Sequence, residues 1–263
     1  GQKEPVIDMP TRFVDFMRVL VPMAGDDTTP EGEQVNIYGN HVGSWNFAAT
    51  AYLNRWKVKI YYEHYFDDHS QMFFQYGRWK DGHIGLEITF PKNRFIDTFV
   101  YEGLGTKDQT GPMLYDSFWG KFEEQISAKD NYYNHYLYQG WQHWGMGIGN
   151  PLLPGPIYNK NGQITFISNR VLAHHIGFCG SPCQSLSYRM LLSYSRHWGT
   201  YDNPLNEIKK QFNSLFEVTY APQQLKGWSF TVSGAMDRGS ILGNNYGGML
   251  VIRKQGIIKS GNK

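Results

Sequence analysis

At 263 residues and a formal net charge of +2, the chain is long enough to bury a substantial core, as one large all-β domain or two ordinary ones. Charged residues make up only 18%, against roughly 25% in an average soluble protein, while aromatics reach 16% and glycines number 29. No block of Lys and Arg exists to track phosphates, which excludes a nucleic-acid surface; residues 131–159 lack Asp, Glu, Lys and Arg but are broken throughout by Asn, Gln, His, Pro and Gly, which excludes a helical bilayer crossing.

Strand-length segments alternate apolar and polar residues along most of the chain. Phe13 to Met23 reads as a first strand, followed by the loop Gly25 to Pro30, and Gln34 to Tyr38 as a second. Trp45 to Leu53 sets Trp45, Phe47, Ala49, Ala51 and Leu53 against Ser44, Asn46, Ala48, Thr50 and Tyr52, and the short turn Asn54-Arg55 leads into Trp56 to Phe66, so a hairpin is expected. Ile84 to Phe90 and Phe95 to Gly103 form the next pair around Pro91-Lys92-Asn93. Ser117 to Ile126 offers a short amphipathic helix, the aromatic tract Tyr132 to Trp144 follows, and a Gly-Pro loop runs to Pro156. Strands are then expected at Ile164 to Ile167, Val171 to Phe178, Leu186 to Tyr194, Phe212 to Tyr220, Trp228 to Met236 and Met249 to Ile252, with Gly199 to Ile208 as a long connection. The total is roughly ten to twelve strands, in one domain spanning 1–263 with flexible ends at 1–10 and 254–263.

The apolar faces begin or end in rings, at Trp45, Trp56, Phe66, Tyr194, Phe212, Tyr220 and Trp228, and the opposite faces carry Ser, Thr, Asn, Tyr and isolated charges. Rings at strand ends suit interfacial girdles and the polar faces suit a hydrated lumen, so the expected fold is all-β, an antiparallel transmembrane β-barrel of outer-membrane type. A soluble β-sandwich or lectin has a similar composition. No signal peptide begins at Gly1, which reads as a cytoplasmic protein or a processed or truncated chain. Cys179 and Cys183 flank Gly180-Ser181-Pro182, and three readings stay open: a disulfide across a tight hairpin loop, two inert thiols, or a metal site with His174 and His175. The last is disfavoured because adjacent histidines on a strand point to opposite faces.

Two groups of residues suggest carbohydrate contact. Tyr132, Tyr133, His135, Tyr136, Tyr138, Trp141, His143 and Trp144 form the densest aromatic cluster, interleaved with Asn131, Asn134, Gln139 and Gln142, and with Arg170 as a further polar candidate. Sugars stack their C–H faces on such rings and hydrogen-bond to such polar groups. Arg196, His197, Trp198, Tyr201 and Asp202 follow a strong strand and should stand at its mouth, where a guanidinium can pair with an anionic sugar. The bland readings are a packed loop constriction for the first group and a self-ordering turn for the second. Glu63, Asp67, Glu87 and Glu102 could serve a glycoside hydrolase, but any β protein offers as many carboxylates. No Gly-x-Ser-x-Gly elbow is present for a lipase.

Four segments in order, Gly32 to His41 (GEQVNIYGNH), Phe74 to Gly82 (FQYGRWKDG), Tyr138 to Gly147 (YQGWQHWGMG) and Trp198 to Asp202 (WGTYD), resemble the capsule-assembly Wzi family, in particular its Bacteroidetes-type members. The resemblance spans about Glu31 to Arg253. It implies an outer-membrane barrel of about eighteen strands, of which this chain is the C-terminal part, because family members are longer at the N-terminus. It further implies a cell-surface protein of the bacterial outer membrane that binds or tethers capsular polysaccharide in lectin fashion, without catalysis, cofactor or metal. Its partners would be polysaccharide and outer-membrane lipid. The alternatives are an outer-membrane diffusion channel, or a soluble β-sheet lectin or glycosidase.

Overall fold

The computed structural model describes residues 10–21, 23–29, 34, 38–39, 41–67, 72, 74, 79–109, 129–135 and 140–256. Nine strands form one continuous sheet, and every neighbouring pair is antiparallel. In spatial order they are β1 (Val42–Leu53), β2 (Trp56–Asp67), β3 (Gly82–Thr89), β4 (Thr98–Gly105), β7 (Val171–Cys183), β8 (Leu186–Gly199), β9 (Pro204–Tyr220), β10 (Trp228–Gly239) and β11 (Asn245–Lys254). A two-stranded ribbon of β5 (Gln142–His143) and β6 (Met146–Gly147) lies in the excursion between β4 and β7. The fold is therefore all-β and antiparallel, and the sheet is open: β1 and β11 are its two edges.

Residues paired across an antiparallel ladder share a face, so the register carries one apolar face across all nine strands. Trp45, Phe47 and Ala49 on β1 lie beside His64, Tyr62 and Ile60 on β2, and Ile60 beside Leu86 on β3. The face continues through Tyr101 on β4, Ile176 on β7, Leu192 on β8, Phe216 on β9, Val232 on β10 and Leu250 on β11. Among the paired residues this face bears no Asp or Glu, while Glu63, Asp67, Glu87, Glu102, Glu217 and Asp237 all point the other way. Its large side chains are exposed: Val232 is 61% accessible, Leu250 64% and Phe47 54%. By contrast the buried hydrophobic cluster among the described residues is only Tyr133, Leu153, Phe166, Val171 and Ala173. A contiguous exposed apolar patch of this extent inverts the usual partition of a water-soluble domain.

Rings border the apolar face at both ends. At the end of the short turns stand Trp56, Phe99, Phe178, Tyr188, Tyr220 and Trp228, and at the other Trp45, Tyr62, Tyr194, Phe212 and Tyr246. Phe212 and Tyr220 stand roughly 26 Å apart along β9 at ~3.3 Å per residue. The connections 54–55, 90–97, 184–185 and 221–227 gather at one end, and 68–81, 106–170, 200–203 and 240–244 at the other.

Several sequence expectations are corrected. Phe13 to Met23 is not a strand: Phe13–Leu20 is α1, started by Arg12, whose backbone N–H donates to Asp15 Oδ2 at 3.0 Å, and showing exposed Phe13, Phe16 and Leu20 at helical spacing. Ile164 to Ile167 is irregular, because Phe166 is fastened through both backbone N–H and C=O to the Asn134 side chain and fills the core. Gly199 to Ile208 is not a long connection, since β9 already starts at Pro204. Cys179 and Cys183 both lie on β7 and are free, because the hairpin turns at Gln184-Ser185. Both stand on the same strand, whose ladder shifts register between Gly180 and Cys183. His174 and His175 do face opposite sides, toward Tyr101 and Ser193. The expected helix Ser117 to Ile126 lies outside the described residues, as do residues 35–37 of the Gln34 to Tyr38 strand and most of the two expected flexible ends. No helix among the described residues is long and apolar enough to cross a membrane.

Candidate functional site

The polar face of the sheet is organised in rungs. Ser44 on β1 donates to Glu63 Oε1 at 2.7 Å, and His83 on β3 stands between two carboxylates, with Nδ1 3.8 Å from Glu63 and Nε2 3.5 Å from Glu102. The Tyr61 hydroxyl donates to the same Glu102 carboxylate, and its ring lies across Gly85, where a Cβ would meet ring atoms at 2.0 Å. Cross-strand pairing then runs Glu102, His175, Ser193, Asn213 and Asp237 from β4 to β10. His175 Nδ1 is 2.7 Å from Ser193 Oγ, and Asn213 Nδ2 donates to Asp237 at 2.6 Å. The bonded pairs within this row, His175–Ser193 and Asn213–Asp237, satisfy polar groups that would otherwise carry a desolvation cost.

The described residues of the excursion between β4 and β7 fold over this belt. Its Tyr133, Leu153 and Phe166 pack on Val171 and Ala173, with Val42, Leu104, Trp141 and Leu152 around them, so the core among the described residues lies between the excursion and the polar face. Beneath it remains a cavity of about 880 Å³ lined by Glu63, His83, Glu102, His175, Ser193 and Asn213 on the sheet, and by Tyr132, Tyr133, Leu152 and Leu153 above. A smaller one of about 140 Å³ lies between Met146, Pro151, Tyr158 and His197.

A buried polar knot pins the excursion where it returns to the sheet. Tyr132 OH donates to Asp81 Oδ2 at 2.9 Å and the Asp108 N–H to Asp81 Oδ1 at 2.9 Å. The Gln109 side chain accepts the Tyr132 N–H, and Asn169 Nδ2 donates to Tyr132 O and Asn131 Oδ1. Burial lifts the Asp81 carboxyl to about 6, against the pull of its hydrogen-bond donors, and raises the Tyr132 hydroxyl well above its ordinary value.

The sequence-derived residues are dispersed. Tyr136, Tyr138 and Gln139 lie outside the described residues. Trp141 is not displayed: it stacks on Tyr133 with ring centroids 5.9 Å apart and belongs to the core. Trp144 is the opposite, 85% exposed at the tip of the β5–β6 hairpin, edge-on to the exposed His143. Its φ of +51° beside Gly145 at +77° makes the doubly left-handed turn that a tight hairpin requires. A bulky ring in that region is a backbone outlier. Asn131, Asn134 and Gln142 hold the excursion together, Gln142 by accepting the Gly145 N–H at 2.7 Å.

The group 196–202 does not form one loop, because β8 runs on to Gly199 and alternation splits it. Arg196 is on the apolar face, paired with Lys210, with its guanidinium 5.2 Å from the Trp198 ring; Lys107 Nζ stands 4.9 Å from the same ring. His197 points to the polar face, is buried, and shares Nε2 with Ser195 Oγ at 2.9 Å. Tyr201 lies under the Arg170 guanidinium at 3.8 Å and donates to Asp108 O, and Asp202 accepts from Asn131 at 3.2 Å. Of the four carboxylates weighed for hydrolysis, Glu63 and Glu102 converge on His83, Glu87 pairs with Lys57 at 3.5 Å, and Asp67 is buried at the end of β2. Sequence reasoning missed the belt itself; its only local signal is the period-2 placement of each polar residue, and the register alone brings them into line. Among the described residues no group of three or more His, Cys, Asp or Glu could hold a metal ion. No protein-family model matches the chain, and neither does any curated protein.

Proposed function

We propose that this chain forms part of the wall of a bacterial outer-membrane β-barrel of about eighteen strands, and that it holds capsular or other surface polysaccharide at the outer end by binding, not turnover. The observation that supports it most is the sheet's outward face: apolar over nine strands, without a carboxylate among its paired residues, exposed, and bordered by rings at both ends. Water offers no reason for such a face, whereas lipid requires it. The belts on β9 are roughly 26 Å apart along the strand, which at a tilt of about 35–45° projects to roughly 20 Å of membrane depth, approaching the apolar band of about 25 Å of such barrels. The end with the longer connections, including the excursion, is then the outside.

The excursion favours a tether over a diffusion channel, since it covers the polar belt that a conducting lumen would leave open. The outward Trp144 ring supplies a stacking platform held at a backbone cost, and the cation-flanked rings of Trp198 and Tyr201 supply a second. Weak contacts of this kind sum along a repeating polymer by avidity. The test has two stages: membrane fractionation with heat-modifiable gel migration for the barrel, then polysaccharide pull-down with Trp144→Ala and Trp198→Ala. A protein that stays in the aqueous fraction without detergent sinks the membrane reading, and unchanged pull-down by both variants sinks the sugar site.

A further inference from the structure

Four cations lie among the paired residues of the apolar face, and three are together: Arg196 on β8, Lys210 on β9 and Arg238 on β10, at the end of the long connections. The fourth, Lys254, stands alone at the other end over Trp228. Arg196 and Lys210 are directly paired, which puts their Cβ atoms roughly 5 Å apart. Arg238 pairs with Phe212, two residues along β9 from Lys210, the diagonal distance of about 7–8 Å.

Like charges placed opposite one another destabilise a sheet. Natural sheets offset such pairs with a carboxylate, yet this face has none among its paired residues, and among the described residues none of the three cations has an acidic partner within ion-pair distance. Lys107, over the Trp198 ring beside Arg196, adds a further positive charge. Arg196 and Lys210 lie just beyond the rings Tyr194 and Phe212 that border the apolar band, and Arg238 lies level with Phe212. An anion that fits must therefore lie at the membrane surface, with an apolar body extending along the band.

We infer that Arg196, Lys210 and Arg238 form a binding site for the phosphate-bearing headgroup of an outer-leaflet glycolipid whose acyl chains lie along Leu192, Phe216 and Val232. The inference rests on the membrane-spanning reading above and adds its lipid partner. Guanidinium forks and an ammonium on one face match a phosphate monoester geometrically, and basic residues at the membrane surface attract anionic headgroups additively. The site also fixes orientation, since the other end of the face has a single cation.

The full chain in detergent micelles is titrated with bisphosphorylated lipid A and with the same lipid dephosphorylated, and binding is read from thermal unfolding and native mass spectrometry. Wild type should prefer the phosphorylated lipid by on the order of a hundred-fold, and Arg196→Gln/Lys210→Gln/Arg238→Gln should lose that preference while keeping heat-modifiable migration. Trp144→Ala should keep it, which separates this site from the sugar platform. Equal binding of the two lipids by wild type overturns the inference, as does a preference that survives in the triple variant, or saturation by inorganic phosphate or hyaluronan but not by lipid A. A wild-type chain that enters no micelle fails at the earlier step and overturns the membrane reading together with this one.

Discussion

The Asp81 carboxylate is the group whose titration should be felt most in the clamp on the excursion. It lies just before β3, 4% exposed, and accepts from Tyr132 OH and the Asp108 N–H. Burial raises it from 3.8 to about 6. Between those values the folded protein binds more protons at this site than the unfolded chain does. Stability from this group is therefore fully present below about pH 4 and is lost as pH rises through 6, a total of about 3 kcal/mol at ~1.4 kcal/mol per unit. Asp81→Asn keeps the shape and cannot ionise, so it should match wild type near pH 4 and exceed it by up to about 3 kcal/mol at pH 7. Denaturant titrations of both proteins in detergent at half-unit steps from pH 4 to 7.5, with near-ultraviolet circular dichroism reporting Tyr132 and its neighbours, yield the difference directly. Subtracting the two curves cancels every other titrating group. Parallel curves would refute the argument, and an Asn variant that weakens with rising pH as wild type does would place the proton elsewhere.

Val232→Lys, at the middle of the apolar band and 61% exposed, should destabilise by about 2–4 kcal/mol in a bilayer but by no more than about 0.5 kcal/mol on a watery surface; folding measurements in vesicles decide which solvent the face meets. Trp144→Gly should relieve the left-handed strain at φ +51° and raise stability by about 0.5–1 kcal/mol, while polysaccharide retention falls. Trp141→Ala should instead cost about 2–4 kcal/mol by removing the ring stacked on Tyr133, so the two tryptophans should separate in paired stability and pull-down assays. Gly85→Ala should displace the Tyr61 ring and break its bond to Glu102, costing about 1–3 kcal/mol, with the penalty vanishing in a Tyr61→Ala background, as a double-mutant cycle would record.

The strands were legible wherever alternation is strong: Trp45 to Leu53, Trp56 to Phe66 and Trp228 to Met236 all lie within strands extended by one to a few residues. What extended them has no side-chain signature. Lys209 and Lys210 are as much part of β9 as Phe212, because backbone pairing with His197 and Arg196 continues past the last apolar ring. The same extension broke up the expected mouth at 196–202, since a strand sends Arg196 and His197 to opposite faces where a loop would let them converge. The first helix was misread although Phe13 to Leu20 has no period-2 alternation, with Phe13, Val14, Phe16 and Met17 falling on both faces of a strand; the Arg12–Asp15 contact and the Phe13, Phe16, Leu20 spacing were the better signal. Glu63, His83 and Glu102 are unremarkable polar-face residues taken singly, and only the register across three strands makes them a cluster. Trp141 and Trp144 are three residues apart in one aromatic tract, yet the first is half-buried against Tyr133 and the hairpin turn displays the second. Composition cannot express that difference.

The edges of the sheet bear on how the proposed barrel closes. Nine strands joined only by antiparallel steps leave β1 and β11 running the same way, so antiparallel closure needs an odd number of further strands between them. Volume argues against direct parallel closure of the proposed barrel. A barrel of eight strands has an interior just wide enough for its own side chains, and here the inward face already bears the excursion with Tyr133, Leu153 and Phe166 and a cavity of about 880 Å³ beneath it. A wall of nine strands cannot curl tightly enough to seal without expelling that excursion, whereas about eighteen strands leave it room. Cysteines introduced at Thr50 on β1 and Val251 on β11, in a chain with Cys179→Ser and Cys183→Ser, should therefore resist oxidative cross-linking in the membrane-inserted protein. Efficient formation of an intrachain disulfide would put the two edges side by side and refute both the larger barrel and the inward placement of the excursion.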